Sequence, residues 1–129
     1  MRQWIKQPEG KNVCGQIAVA VIAGITLEEA IKLTGKKGCT KTKDLVKALR
    51  KLGFECPDRC KRMEKDRLYK DLAIAKLFLP TRKSGWHWIV IENYKIFDGI
   101  NGNTNGSVMW PDGWKVTSYL PVKQRFMDT

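Results

Sequence analysis

The sequence predicts an α+β domain, with helices filling its first half and antiparallel strands its second. Three observations carry this. Cys14 to Ala23 is almost wholly apolar, as in a helix buried on most sides. Thr26-Leu27-Glu28-Glu29 is a capping box, and Leu45, Val46, Leu49 and Leu52 recur at helical spacing. Beyond residue 70 the apolar runs become short, β-branched and aromatic, which is strand composition. A run of helices followed by a run of strands segregates into α+β.

Taken in order, residues 1–13 carry Gln3, Gln7, Pro8, Gly10 and Asn12 without periodicity and read as a polar approach. The apolar helix follows and stops at Gly24. The second helix starts at the Thr26 box and ends near Gly35. A basic turn, Lys36 to Lys41, leads to a third helix capped by Thr42. Its Lys43, Lys47, Arg50 and Lys51 fall opposite the apolar positions, and Gly53 stops it. From Cys56 to Tyr69 the chain is charged and irregular, with a short helix around Arg62 to Tyr69. Leu72 to Leu79 reads as a central strand, ended by Pro80 and the loop Thr81 to Gly85.

Next comes Gly85 to Gly99, a hairpin that holds the chain's single histidine. With Glu92 and Asn93 as the two loop residues, Ile91 pairs with Tyr94 and His87 falls directly opposite Asp98. Opposed residues of an antiparallel pair share a face, with Cβ atoms about 5 Å apart. Gly99 to Gly106 is a Gly/Asn-rich loop, and Val116 to Val122 supplies one or two further strands.

At 129 residues, without linker, repeat or low-complexity segment, residues 1–129 form a single domain. The 43% hydrophobic content speaks against disorder. Lys plus Arg is 24 against 13 Asp plus Glu, a formal charge of +11. That balance attracts acidic partners: nucleic acid, anionic lipid, cell-wall polymer or acidic protein. No signal peptide opens the chain, and the apolar run from Ile17 to Ile25 is too short for a membrane span. The expected compartment is the cytoplasm, with Cys14, Cys39, Cys56 and Cys60 as thiols.

An imidazole beside a carboxylate calls for a nucleophile. Cys14 sits where a loop enters an apolar helix, at the positive end of the helix dipole, a setting that stabilises a thiolate. Gly15 leaves room for a substrate carbonyl. The Cys14 amide and an upstream carboxamide, Gln7 or Gln3, are available as oxyanion donors.

These residues resemble the papain-like cysteine peptidases: a Gln shortly before Cys14-Gly15, later His87 opening a strand, then Asp98 closing the next. The compact bacterial branch that cuts double-glycine leaders, the bacteriocin-processing-like peptidases, is closest. Gly38-Cys39-Thr40 through Leu52-Gly53-Phe54 and the strand Leu72 to Leu79 before His87 also resemble that branch. The resemblance runs over residues 7–99. It implies a papain-like fold, helices packed on a C-terminal antiparallel sheet, with Cys14 and His87 facing across a cleft. It further implies Cys14 as nucleophile, His87 as base, Asp98 as orienting group and Gln7 at the oxyanion, and hydrolysis or acyl transfer at an amide or isopeptide bond of a protein or peptide, without cofactor or metal. Gln7 stands one residue further from Cys14 than is usual in the branch, and Gly99 replaces the usual Pro. No transporter part accompanies the peptidase-like part, so leader cutting is not carried over. A standalone basic enzyme of this kind suits a phage or bacterial factor.

Other readings stay open. Cys56-x3-Cys60 with Cys39 and His87 has loose zinc spacing. Trp86, Trp88, Trp110 and Trp114 near the basic residues suit a nucleic-acid-binding module. A papain-like domain acting as a silent binding or inhibitor protein is the third.

Overall fold

A computed structural model describes residues 3–62, 71–78, 86–93, 95–98, 102–105 and 115–124, with 98, 102–105 and 115 described by their backbone alone. Among these residues three helices come first: α1 (Cys14–Ala23), α2 (Leu27–Thr34) and α3 (Thr42–Lys51). Eight strands follow among them: β1 (Phe54–Glu55), β2 (Lys61–Arg62), β3 (Ala73–Phe78), β4 (Trp86–Glu92), β5 (Lys95–Asp98), β6 (Gly102–Asn105), β7 (Lys115–Pro121) and β8 (Lys123–Gln124). This is the α+β order expected. The helix expected around Arg62 to Tyr69, apart from Arg62 in β2, the loop Thr81 to Gly85, and Trp110 and Trp114 lie outside the described residues.

Helix α1 is buried nearly all round and ends at Gly24, whose φ of 70° only a residue without Cβ adopts readily. Helix α2 carries the expected box: Thr26 Oγ1 accepts from Glu29 N at 3.1 Å and Glu29 Oε1 accepts from Thr26 N at 3.3 Å. At α3 the N-cap is Lys41 rather than Thr42. Asp44 reaches back to accept from Lys41 N at 2.9 Å, so the helix starts one residue earlier than the Thr42 reading. Thr42 Oγ1 instead lies 3.7 Å from Cys60 Sγ.

The main sheet is antiparallel in the order β2-β7-β3-β4-β5-β6, and β1 pairs with β8 separately. β3 is central, as its sequence predicts. Gly102–Asn105, read from sequence as loop, is strand β6, which pairs with β5. One side of the sheet, with Ile74, Trp88, Val90, Phe97 and Leu120, packs on α1 and α3 through Ile17, Val21, Leu45 and Leu49. Ala75, Leu77, Ile89, Ile91 and Ile96 form a second apolar cluster.

The hairpin is offset from its sequence reading. Ile91 pairs with Ile96 and Glu92 with Lys95, so the turn begins at Asn93, whose φ is 49°. Asparagine tolerates that left-handed backbone better than glutamate. Moving the turn by one residue changes each pair by two: the same register continued puts Asp98 across from Ile89, not from His87. Because the change is two, Asp98 keeps its place on the same sheet face, diagonal to His87.

Candidate active site

Cys14 is the first residue of α1 and 8% exposed. Its Sγ lies 3.5 Å from the backbone N of Trp88, which donates to it. That nitrogen belongs to the peptide joining His87 to Trp88, so covalent geometry puts the sulfur within roughly 6 Å of His87 Cα. His87 itself is 1% exposed in β4, paired with Leu77 of β3. The start of α1 thus packs on the start of β4, with Cys14 against the peptide that follows His87. Asp98 ends β5, on the diagonal described above.

Gln7 closes the approach loop onto this point: its Oε1 accepts from Val13 N at 3.3 Å, immediately before Cys14. The carboxamide keeps its two Nε2 hydrogens for another acceptor. Gln3 instead lines a cavity with Ala23, Gly24 and Thr26, at the far end of α1, about 15 Å along the helix axis. Of the two glutamines, Gln7 is the one at the Cys14 end.

Cys14 opens onto a cleft of about 560 Å³, walled by Cys39 to Lys43 on one side and by Trp86 and Trp88 on the other. The wall is clamped from several directions. Gln16, fully buried on α1, donates through Nε2 to Lys36 O at 2.8 Å and Gly38 O at 2.7 Å. Trp88 Nε1 donates to Thr40 O at 3.3 Å, and Asn12 Nδ2 donates to Cys39 Sγ at 2.8 Å. Thr40 Oγ1 occupies the space that a side chain at Gly15 would take, and Leu45 Cδ2 stands 3.1 Å from the same point. Gly15 therefore admits Thr40, not a substrate carbonyl as its sequence position suggested.

Sequence reasoning passed over Gln16, Thr40, Asn12 and Lys76. Two had a signal: Gln16 is the one polar side chain between Cys14 and Ala23, and Lys76 the one charge between Ala73 and Leu79. Thr40 stood in the Gly38-Cys39-Thr40 segment of the resemblance without a role, and Asn12, in a polar loop, had no signal.

All four cysteines are thiols, and among the described residues no three His, Cys, Asp or Glu side chains gather as a metal set would require. Cys39 and Cys60 are engaged by Asn12 and Thr42 respectively. Burial pushes the Cys56 thiol up from its ordinary value, with the Arg50 guanidinium pulling the other way. Among the described residues no helix is long and apolar enough to cross a membrane.

Among the described residues, three helices precede an antiparallel sheet, and a cysteine opens the first helix against the strand that carries His87, which is an α+β arrangement. Among solved structures, the peptidase domain of Streptococcus ComA, a bi-functional ABC transporter involved in a quorum-sensing pathway, matches with a TM-score of 0.64. The match is 20% identical and covers 94% of this chain and 98% of that one. The likeness is one of fold. No family model and no curated protein matches the chain.

Proposed function

We propose that the protein is a papain-like cysteine peptidase that hydrolyses, or transfers the acyl group of, an amide bond in a protein or peptide. The observation that carries this is the meeting of Cys14 at the first position of α1 with the His87 to Trp88 peptide, at a cleft of about 560 Å³. In this reading His87 takes the Cys14 proton, and the thiolate, favoured by the helix start, attacks the substrate carbonyl carbon. The oxyanion is held by the Cys14 amide and Gln7 Nε2, which Gln7 Oε1 orients through Val13. The imidazolium then protonates the leaving amine. Water or another acceptor, deprotonated by His87, releases the acyl group and restores the thiol. Asp98 orients the ring and stabilises its protonated form. The reaction needs no cofactor, and a reducing compartment such as the cytoplasm keeps the nucleophile competent.

The test is a thiol-directed acyl probe applied across a pH series. Labelling should concentrate on Cys14, disappear in Cys14→Ala and fall sharply in His87→Ala. Labelling spread evenly over the four cysteines, or indifferent to His87, would overturn the reading.

A further inference from the structure

The Cys14 cleft does not end at its own wall. A second cavity, about 540 Å³, runs along the outer face of α3 past Lys47 and Lys51, and both cavities are lined by Lys43 and Asp58. The two form one groove leading from the thiol onto the helix.

Its charge is one-sided. Lys41, Lys43 and Lys76 line the first cavity, and Lys47, Arg50 and Lys51 the second. Asp58 is the one carboxylate lining either among the described residues, and Arg50 Nη2 already pairs with it at 2.9 Å. Lys43 and Lys47, and again Lys47 and Lys51, are like charges four apart on a helix, an arrangement that opposes helix stability. A stripe kept against that cost, whose one lining carboxylate among the described residues is already paired with Arg50, is complementary to an acidic ligand.

Lys76 makes a second, independent case. It stands in central strand β3, paired with Trp88 of β4, and is half-buried. The β3–β7 register shifts between Lys76 and Leu77, an irregularity of the kind that re-aims a side chain. Its Nζ lies 4.6 Å from the Trp86 ring centroid and 5.5 Å from that of Trp88. The indoles thus hold a cation at the cleft floor.

We propose that this groove binds an acidic stretch of the peptide substrate, with Lys76 receiving the carboxylate side chain nearest Cys14 and the α3 stripe receiving those further along. The ten residues of α3 span about 15 Å, the length of four or five extended peptide residues. A peptide is favoured over a nucleic acid because Lys76 already engages the two indoles, leaving them a poor platform for stacked bases, and because the groove runs to the thiol. The assignment of the scissile bond to the Cys14 end rests on the peptidase reading; the binding surface does not.

The experiment uses the full chain as Cys14→Ala, so that no turnover intervenes. Three fluorescein-labelled probes are titrated by anisotropy at stepped salt: a Glu-rich peptide of about ten residues, its Gln counterpart, and a single-stranded oligonucleotide of similar length. The Glu peptide should bind at least about tenfold more tightly than the Gln peptide at low salt, the gap closing as salt rises. Lys43→Glu with Lys47→Glu, or Lys76→Met, should each shrink the gap, the double reversal to within about twofold. Equal binding of Glu and Gln peptides, or a preference unchanged in these variants, would overturn the proposal. So would an oligonucleotide that binds more tightly than the Glu peptide and displaces it. If acidic binding holds while acyl labelling of wild-type Cys14 fails, the peptidase reading falls and the groove stands; the reverse result removes the groove alone.

Discussion

The backbone amide of Trp88 donates to Cys14 Sγ at 3.5 Å, joining two residues 74 apart in sequence. One hydrogen bond fixes the start of α1 against the residue that follows His87. It makes the position of Cys14 a property of helix-on-sheet packing rather than of a loop.

Asp98 then has a defined place to be tested. It is diagonal to His87, and diagonal positions lie about 7 to 8 Å apart at Cα, within reach of a carboxylate acting on an imidazole. Asp98→Asn should lower kcat/KM by about 10²- to 10⁴-fold, since it leaves shape intact and removes the charge that stabilises the imidazolium. Thermal unfolding measured alongside should move little. Unchanged kinetics would remove Asp98 from the site.

Gln7 joins an observed hydrogen bond to Val13 with the proposed oxyanion role, and substitution separates the two. Gln7→Glu keeps an oxygen for Val13 N–H but has no hydrogens for an oxyanion. It should retain near wild-type stability while kcat drops about 10²- to 10³-fold. Gln7→Ala loses both functions. Gln3→Ala, at the other end of α1, should leave kcat unchanged. Steady-state kinetics with urea titrations checks all three.

The helices and β3 were legible because their burial follows period and composition directly. Cys14 was legible as a helix opener for the same reason. What escaped depends on competition between neighbours. Glu92-Asn93 and a turn starting at Asn93 are both two-residue loops, and the tolerance of asparagine for φ 49° decides between them. Lys41 replaces Thr42 as N-cap because Asp44 captures the Lys41 amide. β6 has poor strand composition, Gly-Asn-Thr-Asn, and exists as the pairing partner of β5. The acidic-partner expectation came from net charge alone; the chain does not reveal that α3 and Lys76 share a groove until β3 is laid beside β4.

Gly15 is a packing requirement. A methyl there would overlap Thr40 Oγ1 and crowd Leu45, so Gly15→Ala should destabilise by about 1–3 kcal/mol despite the better helix propensity of alanine. Thr40→Ala removes the hydroxyl that is in the way. The double variant should therefore recover part of the loss, with a coupling of about 0.5–3 kcal/mol in urea titrations. Strict additivity would show that Thr40 is not the obstacle.

Cys56 supplies a pH-dependent prediction. Burial raises its pKa, and Arg50 lowers it by charge and hydrogen bonding but does not cancel the rise. At a given pH near 8 it holds less thiolate than an ordinary cysteine, so iodoacetamide should modify exposed Cys39 before Cys56. Arg50→Gln removes the lowering influence and should slow Cys56 further; Asp58→Asn should speed it. The folded protein binds this proton more tightly than the unfolded chain does. The stability it contributes is thus complete below the ordinary thiol pKa and is lost as pH rises through the higher folded value. Peptide mapping of alkylation rates from pH 7 to 10 reads the order.

Gln16 sets a wall of the cleft, and its replacement pits two effects of similar size. Gln16→Leu removes two hydrogen bonds to Lys36 and Gly38, each worth about 0.5–1.5 kcal/mol net. It also removes Gln16 Oε1, a buried acceptor with no hydrogen-bond partner among the described residues, whose burial costs about 1–3 kcal/mol. Global stability should therefore change by no more than about 2 kcal/mol in either direction. The loop from Lys36 to Thr40 loses its anchor to α1 all the same, keeping the bonds from Trp88 Nε1, Asn12 and the Thr34 hydroxyl. Hydrogen exchange should quicken at Gly38 to Lys41, and kcat/KM should fall as the wall beside Cys14 loosens, with acyl labelling of Cys14 slowed in parallel. Gln16→Glu is the contrasting case. A carboxylate facing two carbonyl oxygens has nothing to donate, and this variant should lose several kcal/mol or fail to fold. Exchange rates in Gln16→Leu that match wild type would show that the loop does not depend on this side chain.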